Sequence, residues 1–332
     1  MSDLKINNIT NRGGDNGPII AGVSTVSSSA FMIMPSGDTE IRGASSGRAI
    51  VFVGATPSAT KLIDAFNTAT SGNAFDFGDA SAARYNNGHG GCSSTTRGVI
   101  ADGTLMEYVV FSSGGGAIEF GDHRVVTSAG IGHAADGVRG LLAGGYVAPV
   151  NLGTIDFINI ATTGSSNLFG EFDDGSTGGY FPMASPTRAV FARAGQGINY
   201  INYTSGGKTQ IFGDMRGDSR NGHIASCSNS TRGIMAGGQA PSRVNTITYI
   251  TIATLGNGID FGDLTAVRND HDAVASQTRG FFVAGSPGPG SITNLIDFVT
   301  IASTGNASDF GDLTQARTQP LAFSDVHGGL GD

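Results

Sequence analysis

The sequence predicts an all-β protein built from six similar units, and three observations lead to this prediction. Glycine makes up 53 of the 332 residues, more than twice the usual share of about 7%. Two short motifs recur along the chain at intervals of 42 to 49 residues. Between them, segments such as 246–252 alternate apolar and polar residues, which is the period of a half-buried strand. This pattern excludes a coiled coil and an ordinary helical enzyme.

The first motif is Phe-Gly-Asp, replaced once by Phe-Gly-Glu, so an acidic residue ends all six copies. These acidic residues are Asp79, Asp122, Glu171, Asp214, Asp263 and Asp312. The second motif is an arginine that follows a small or polar residue and usually precedes glycine. Its copies are Arg48, Arg97, Arg139, Arg188, Arg232 and Arg279. Six interleaved copies of two motifs indicate six tandem units.

Each unit is predicted to contain about four short strands. In the clearest copy one strand starts at Arg232, residues 244–253 form the next, and residues 259–265 form the last. The turn before the last strand contains Gly256-Asn257, and both residue types tolerate the positive φ of a hairpin turn. A unit of this size cannot bury its faces alone, and a four-stranded repeat of about 40 to 50 residues is typical of β-propeller blades.

The ends of the repeat region predict how the ring closes. Before Arg48 the chain lacks a complete inner strand, whereas residues 321–328 supply a surplus strand after the sixth unit. We therefore predict a six-bladed β-propeller over residues 46–332, closed by the C-terminal strand. Closure removes the exposed sheet edges. Residues 1–45 carry neither motif and form a separate, non-propeller N-terminal segment.

Charge and hydropathy restrict the partners. The formal net charge is −8, and no basic cluster could neutralise a run of phosphates, which disfavours nucleic-acid binding. No apolar run approaches the roughly 20 residues needed to cross a bilayer, so no membrane insertion is expected. The N-terminus also lacks the apolar core of a signal peptide.

The whole chain resembles kelch-like repeat structural proteins of marine tailed bacteriophages, particularly of the cyanophage type. The similarity lies in the leader residues 9–11 and 17–28 and in the repeats 245–264 and 294–313. It implies that the phenylalanine of each Phe-Gly-Asp motif packs between blades. It also implies that the leader attaches the propeller to a virion. The attachment residues implied are Ile9, Pro18, Ile19, Ile20, Val23 and Val26.

The function that the resemblance implies is that of a non-enzymatic virion protein, assembled in the host cytoplasm in multiple copies and bound to other virion proteins. A position in the tail, tail fibre or baseplate is favoured over the capsid or neck. The alternative is an adhesin that binds a glycan or a protein on the host surface. The loops after the second strand of each blade lie on one face and differ between blades. Their predicted partner residues are Tyr146, Gln239, Arg243 and Pro287, with one aromatic side chain among them, which favours protein contacts.

The two sets of repeated charges have two interpretations. They could bind a charged ligand, or they could cap turns and form ion pairs between blades. Substrate sites rarely use every blade equally, so the structural interpretation is favoured. It predicts that Asp263→Ala loosens the ring, because a buried arginine without its acid would cost about 3 to 5 kcal/mol.

Other chemistry-bearing residues give little support for catalysis. Five histidines fall in predicted inner strands, but their spacing from the motif arginines varies, so no metal or other cofactor is expected. These are His89, His133, His223, His271 and His327. Cys92 and Cys227 fall in opposite blades, too far apart for a disulfide, and are interpreted as small buried residues. No loop carries the Tyr, His and Cys set of galactose oxidase or the Arg and Tyr set of sialidases.

Overall fold

A computed structural model describes residues 47–85, 88–128, 130–173, 180–193, 197–215, 224–239 and 241–330, together with two short N-terminal strands. Contacts divide the chain into Met1–Ala44 and Ser45–Asp332. In the first unit Ser24–Thr25 pairs antiparallel with Met32–Ile33. The six predicted attachment residues lie outside the described residues, at Ile9, Pro18, Ile19, Ile20, Val23 and Val26.

The second unit is a six-bladed β-propeller, which confirms the predicted fold. Every blade is an antiparallel sheet whose strands we name inner, second, third and outer, counted from the central channel. In that order they are Leu321–Ser324, Arg48–Phe52, Thr60–Asn67 and Phe75–Arg84 in blade 1; Cys92–Ser93, Arg97–Asp102, Leu105–Val110 and Ile118–Asp122 in blade 2; Ile131–Ala135, Arg139–Gly144, Thr154–Asn159 and Asn167–Glu171 in blade 3; Tyr180–Ala184, Arg188–Arg193, Gly197–Asn202 and Gln210–Asp214 in blade 4; Ala225–Ser228, Arg232–Ala236, Thr246–Thr251 and Ile259–Asp263 in blade 5; and Asp272–Ala275, Arg279–Val283, Thr293–Thr300 and Ser308–Arg317 in blade 6.

Three short elements complete the propeller. Tyr146–Val147 pairs with Val150–Asn151 in a hairpin between the second and third strands of blade 3. Gly207–Lys208 runs parallel to the outer strand of blade 3. Gly328–Leu330 forms one 3-10 turn after the last strand.

The C-terminal strand closes the ring as predicted. Leu321–Ser324 pairs antiparallel with the second strand of blade 1, so that Leu321 lies opposite Phe52 and Ser324 lies opposite Ala49. Blade 1 is therefore built from both ends of the propeller sequence. This pairing gives blade 1 the same four strands as the other blades.

The apolar core of the described propeller consists of six clusters, each formed by two neighbouring blades. Between blades 1 and 2, for example, Phe52 and Phe77 share a cluster with Phe111. The motif phenylalanine belongs to the cluster at five junctions, and at the junction of blades 3 and 4 the half-buried Phe169 packs against the cluster. The core thus joins the blades rather than filling each one separately.

The glycine that follows most motif arginines is explained by close packing at these junctions. A Cβ on Gly98 would overlap the ring of Phe323, which belongs to the inner strand of the preceding blade. In the same way, a Cβ on Gly233 would overlap the side chain of Met183. The missing side chain therefore makes room for the neighbouring blade.

Candidate functional site

The loops that differ most between blades lie together at one end of the ring, which we call the open face. It carries the connections from second to third strands and the connections from each blade to the next. Tyr146, Gln239 and Pro287 are exposed there, and Arg243 is half-buried. The turns between inner and second strands lie at the opposite end. The structure therefore places all four predicted partner residues on one face.

The loops of blades 5 and 6 are joined through the side chain of Arg243. Its Nε donates to Asn269 Oδ1 at 2.9 Å, and its Nη2 donates to Ser286 Oγ at 3.2 Å. Asn269 Nδ2 in turn donates to Gln239 Oε1 at 3.3 Å. Arg243 therefore connects these two loops through two of its five N–H donors.

The hairpin of blade 3 projects beside the connection from blade 2. Tyr146 lies opposite Asn151, and Val147 lies opposite Val150. The backbone N–H and the hydroxyl of Ser128 both donate to Tyr146 O, at 2.8 and 3.0 Å. Tyr85, in the connection after blade 1, is a second exposed aromatic residue on the open face. The sequence analysis did not predict Tyr85 as a partner residue, because Tyr85 follows an outer strand and the predicted loops follow second strands.

The six repeated arginines tie each blade to the next. Arg232 lies over the ring of Tyr249 in its own blade, 4.8 Å from the ring centroid. Its Nη1 donates to Ile301 O at 2.9 Å and to Ala302 O at 3.0 Å in the following blade. The other five arginines make the same contact with the next blade, through the carbonyls of Phe111, Ala161, Tyr203, Ile252 and Thr68.

The predicted ion pairs between repeated arginines and repeated acidic residues are wrong. All twelve residues are described, and no ion pair joins the two sets. Register gives the reason, because Arg232 lies opposite Thr251 whereas Asp263 lies opposite Thr246. Five residues of strand separate these positions, about 17 Å at 3.3 Å per residue. The two charges therefore occupy opposite ends of the blade.

The Phe-Gly-Asp motif connects blades through its backbone instead. Phe261 O accepts a hydrogen bond from Gly305 N, and Asp263 O accepts one from Ala307 N, both at 2.8 Å. A Cβ on Gly262 would overlap the Gly305 carbonyl. The glycine is therefore required because the hairpin turn of the next blade lies directly against it.

Four ion pairs between blades, each with a buried acid, were missed in the sequence. In each, an acid of a third strand meets an arginine that ends or follows the outer strand of the preceding blade. They are Asp64 with Arg317, Glu107 with Arg84, Asp156 with Arg124, and Asp297 with Arg268. An acid at the equivalent position of the third strand, as in Ile155-Asp156-Phe157 and Ile296-Asp297-Phe298, was the available signal. Blade 4 has Asn199 at this position, and residues 172–187 before it contain no lysine or arginine.

Burial and ion pairing act in opposite directions on the pKa values of these pairs. It raises the pKa of Asp64, even though Arg317 acts in the opposite direction. Burial also lowers the pKa of Arg268, against the attraction of Asp297. At Asp156 burial raises the pKa, but hydrogen bonds from His123 and Arg124 outweigh it and hold the pKa below its ordinary value.

Chain segments cross the central channel near both ends. Near the open face, Gly90 N donates to Asp272 Oδ2 of blade 6 at 2.9 Å. A Cβ on Gly90 would lie within 4.0 Å of blades 1, 3 and 4. At the other end, Gly328 and Gly329 lie against carbonyls of Asn229, Ala184 and Ala135 in blades 5, 4 and 3. A cavity of about 50 Å³, lined by residues of all six inner strands or their lead-in segments, is left along the channel.

Two channel histidines use both ring nitrogens for protein hydrogen bonds. His133 Nδ1 donates to His89 O at 3.0 Å, and its Nε2 accepts from Ala101 N at 3.1 Å. His327 Nε2 donates to Ser93 O at 2.8 Å, and its Nδ1 accepts from Gly329 N. Each ring is held in one neutral tautomer, and burial lowers the pKa of both, to about 4 for His133.

His89 and His271 are buried, and His89 Nδ1 lies 3.8 Å from Asp272 Oδ1. His223 is outside the described residues. Cys92 and Cys227 are free and buried in the inner strands of blades 2 and 5. Burial raises the pKa of both thiols. Over the part of the chain that the structure describes, no three His, Cys, Asp or Glu side chains are grouped to hold a metal ion.

The fold and the face described above define a six-bladed β-propeller with one loop-rich face. Comparison with protein-family models gave no match, and comparison with curated proteins gave none either. Within the described residues, no helix is long and apolar enough to span a membrane.

Proposed function

We propose that this chain is a non-enzymatic structural protein of a bacteriophage virion, displayed on the particle through its N-terminal segment. The resemblance of its leader and repeats to phage structural proteins supports this proposal. A position in the tail, tail fibre or baseplate fits a module whose variable loops gather on one face.

The observation that carries the proposal is that both repeated motifs are used to join neighbouring blades. Each motif arginine contacts a carbonyl of the next blade, and each Phe-Gly-Asp motif receives the hairpin turn of the next blade. Interactions that recur at all six junctions serve the ring as a whole. Blade-specific loops on the open face are then left for partners, in agreement with a display module.

A second candidate is an adhesin that binds a host-surface glycan or protein. The specific observation in its favour is the pair of exposed tyrosines on the open face, Tyr85 and Tyr146. Aromatic side chains with a polar end are common in recognition surfaces. The two candidates differ in what the open face contacts.

Electron microscopy of purified virions with a gold-labelled antibody against the chain tests the proposal. We expect label on the particle, and label at the tail tip or fibres would favour host recognition. Label on the capsid or neck would favour a decoration or assembly role. Particles without label, while the antibody detects the chain in infected cells, would contradict a virion role.

A further inference from the structure

The open face carries an exposed apolar hairpin tip beside an exposed valine of the connection from blade 2. We call this surface the blade 3 knob and define it as Val126 with Tyr146–Val150. The five residues of the hairpin read Tyr-Val-Ala-Pro-Val, with four classed as exposed and Val147 half-buried. Val150 is 57% exposed and Val126 is 66% exposed. Exposed runs of this kind are avoided on soluble proteins unless they serve contacts.

Hydrogen bonds hold the knob at its base. Besides the two hydrogen bonds from Ser128 to Tyr146 O, Leu152 N donates to Gly145 O at 2.7 Å. Tyr180 Oη donates to Leu152 O at 3.1 Å, which ties the end of the hairpin to blade 4. A surface that is ordered before binding loses little conformational entropy when a partner covers it.

The charge around the knob indicates the chemistry of its partner. Residues 140–155 contain no charged side chain in a protein of net charge −8. The nearest arginine beside Val126 is Arg124, whose guanidinium is already bound to Asp156 at 2.8 Å. Covering the knob therefore buries no unpaired charge. An anionic surface would meet no free cation among the six residues of the knob, all of which the structure describes, and would be repelled by the net charge of the protein.

We propose that the blade 3 knob inserts into an uncharged, apolar cleft of a different protein, and this rests on the proposed role as a displayed virion module. A glycan is a poorer match, because the knob offers one aromatic ring and the carbonyl of Tyr146 already accepts two hydrogen bonds. The loops of blades 5 and 6 are not part of this surface, since Arg243 is used to hold them together.

Photocrosslinking in infected cells tests the inference. The full chain carries Tyr146→p-benzoylphenylalanine, and the matched control carries the same substitution at Tyr85, which is 54% exposed on the same face. We expect position 146 to give one crosslinked protein other than this chain, through a peptide rich in apolar residues, at a yield at least about tenfold above position 85. Equal yields, crosslinks only between copies of this chain, or no crosslink would overturn the proposal.

Charge substitutions give an independent readout. Val150→Glu and Val126→Glu should each lower the crosslinking yield from position 146 by about tenfold, corresponding to about 1.4 kcal/mol. Val138→Glu is the control, because Val138 is 67% exposed in the same blade but at the opposite end of the ring. It should leave the yield within about twofold, and all three variants should melt like the parent protein. An unchanged yield in Val150→Glu would overturn the proposal.

Co-flotation of the purified chain with neutral phosphatidylcholine vesicles tests whether the knob binds a membrane and not a protein. We expect no co-flotation, and flotation abolished by Val150→Glu would overturn the protein-cleft proposal. Failure of the virion proposal is separate, because it is read from antibody label on particles, whereas the crosslink is formed in the cell wherever the chain resides.

Discussion

Arg48 and Asp325 are 277 residues apart in sequence and exchange two hydrogen bonds. Arg48 N donates to Asp325 Oδ1 at 2.7 Å, and Asp325 N donates to Arg48 O at 3.2 Å. The other five blades make the same backbone bond between the motif arginine and the residue three positions before it. Those residues are Ser94, Asp136, Ser185, Asn229 and Ser276. The C-terminus therefore rebuilds without a covalent link the turn that the other blades make within a continuous chain.

Asp325→Ala should lower the free energy of unfolding by about 1 to 2 kcal/mol, because it removes the side-chain acceptor from the only turn that the chain does not connect. Asp325→Asn should stay within about 0.5 kcal/mol of the parent, since Asn229 fills this role in blade 5. Urea denaturation measures both. Ser276→Ala is the matched control in a connected turn, and a loss there as large as in Asp325→Ala would contradict the role assigned to closure.

Arg232→Ala should cost about 2 kcal/mol, because it removes a stacked guanidinium and its hydrogen bonds to two carbonyls of blade 6. Asp263→Ala should cost less than about 0.5 kcal/mol, since Asp263 contacts blade 6 through its backbone. This reverses the effect predicted from sequence alone. Thermal and urea unfolding of the two variants would decide, and comparable losses would restore the ion-pair interpretation.

Gly98→Ala should destabilise the junction of blades 1 and 2 by about 1 to 3 kcal/mol, because the added methyl overlaps the ring of Phe323. Phe323→Val should partly restore the stability of Gly98→Ala. At the junction of blades 6 and 1, the residue after the motif arginine is Ala49, and the inner strand of the preceding blade places Val274 in the same cluster. A double-mutant cycle measures the rescue. Strictly additive losses would show that Phe323 is not the residue that excludes a side chain at position 98.

Acid should destabilise the propeller through His133. Burial lowers its pKa from the ordinary 6.5 to about 4, and a second proton would oppose the hydrogen bond from Ala101 N. Below pH 6.5 the unfolded chain binds this proton and the folded chain does not, so stability is complete above 6.5 and falls as the pH approaches 4. The free energy of unfolding should fall by about 3 kcal/mol, because each unit of pKa difference between the folded and unfolded chain corresponds to about 1.36 kcal/mol.

Urea denaturation between pH 4 and 7 measures this loss in the parent and in His133→Gln. Other titrating groups, including Asp64 with its raised pKa, are common to both proteins and cancel in the difference. The parent should lose about 3 kcal/mol more than the variant over this range. Parallel curves would show that His133 titrates equally in the folded and unfolded states.

Sequence alone determined the number of blades and the place where the ring closes. Both follow from local patterns: motif spacing counts the units, and a missing strand before Arg48 matches a surplus strand at Leu321. The sequence also predicted that the four partner residues lie on one face, because loops after equivalent strands must lie at the same end of a propeller. These residues are Tyr146, Gln239, Arg243 and Pro287.

Only the tertiary structure decided which side chains meet. The interval between Arg232 and Asp263 is regular in sequence, but strand register places them at opposite ends of their blade. The pairing of Arg317 with Asp64, the use of Arg243 inside the open face and the position of Gly90 near the channel axis each depend on contacts between blades. Such contacts are fixed by packing in three dimensions, and spacing along one chain carries no record of them.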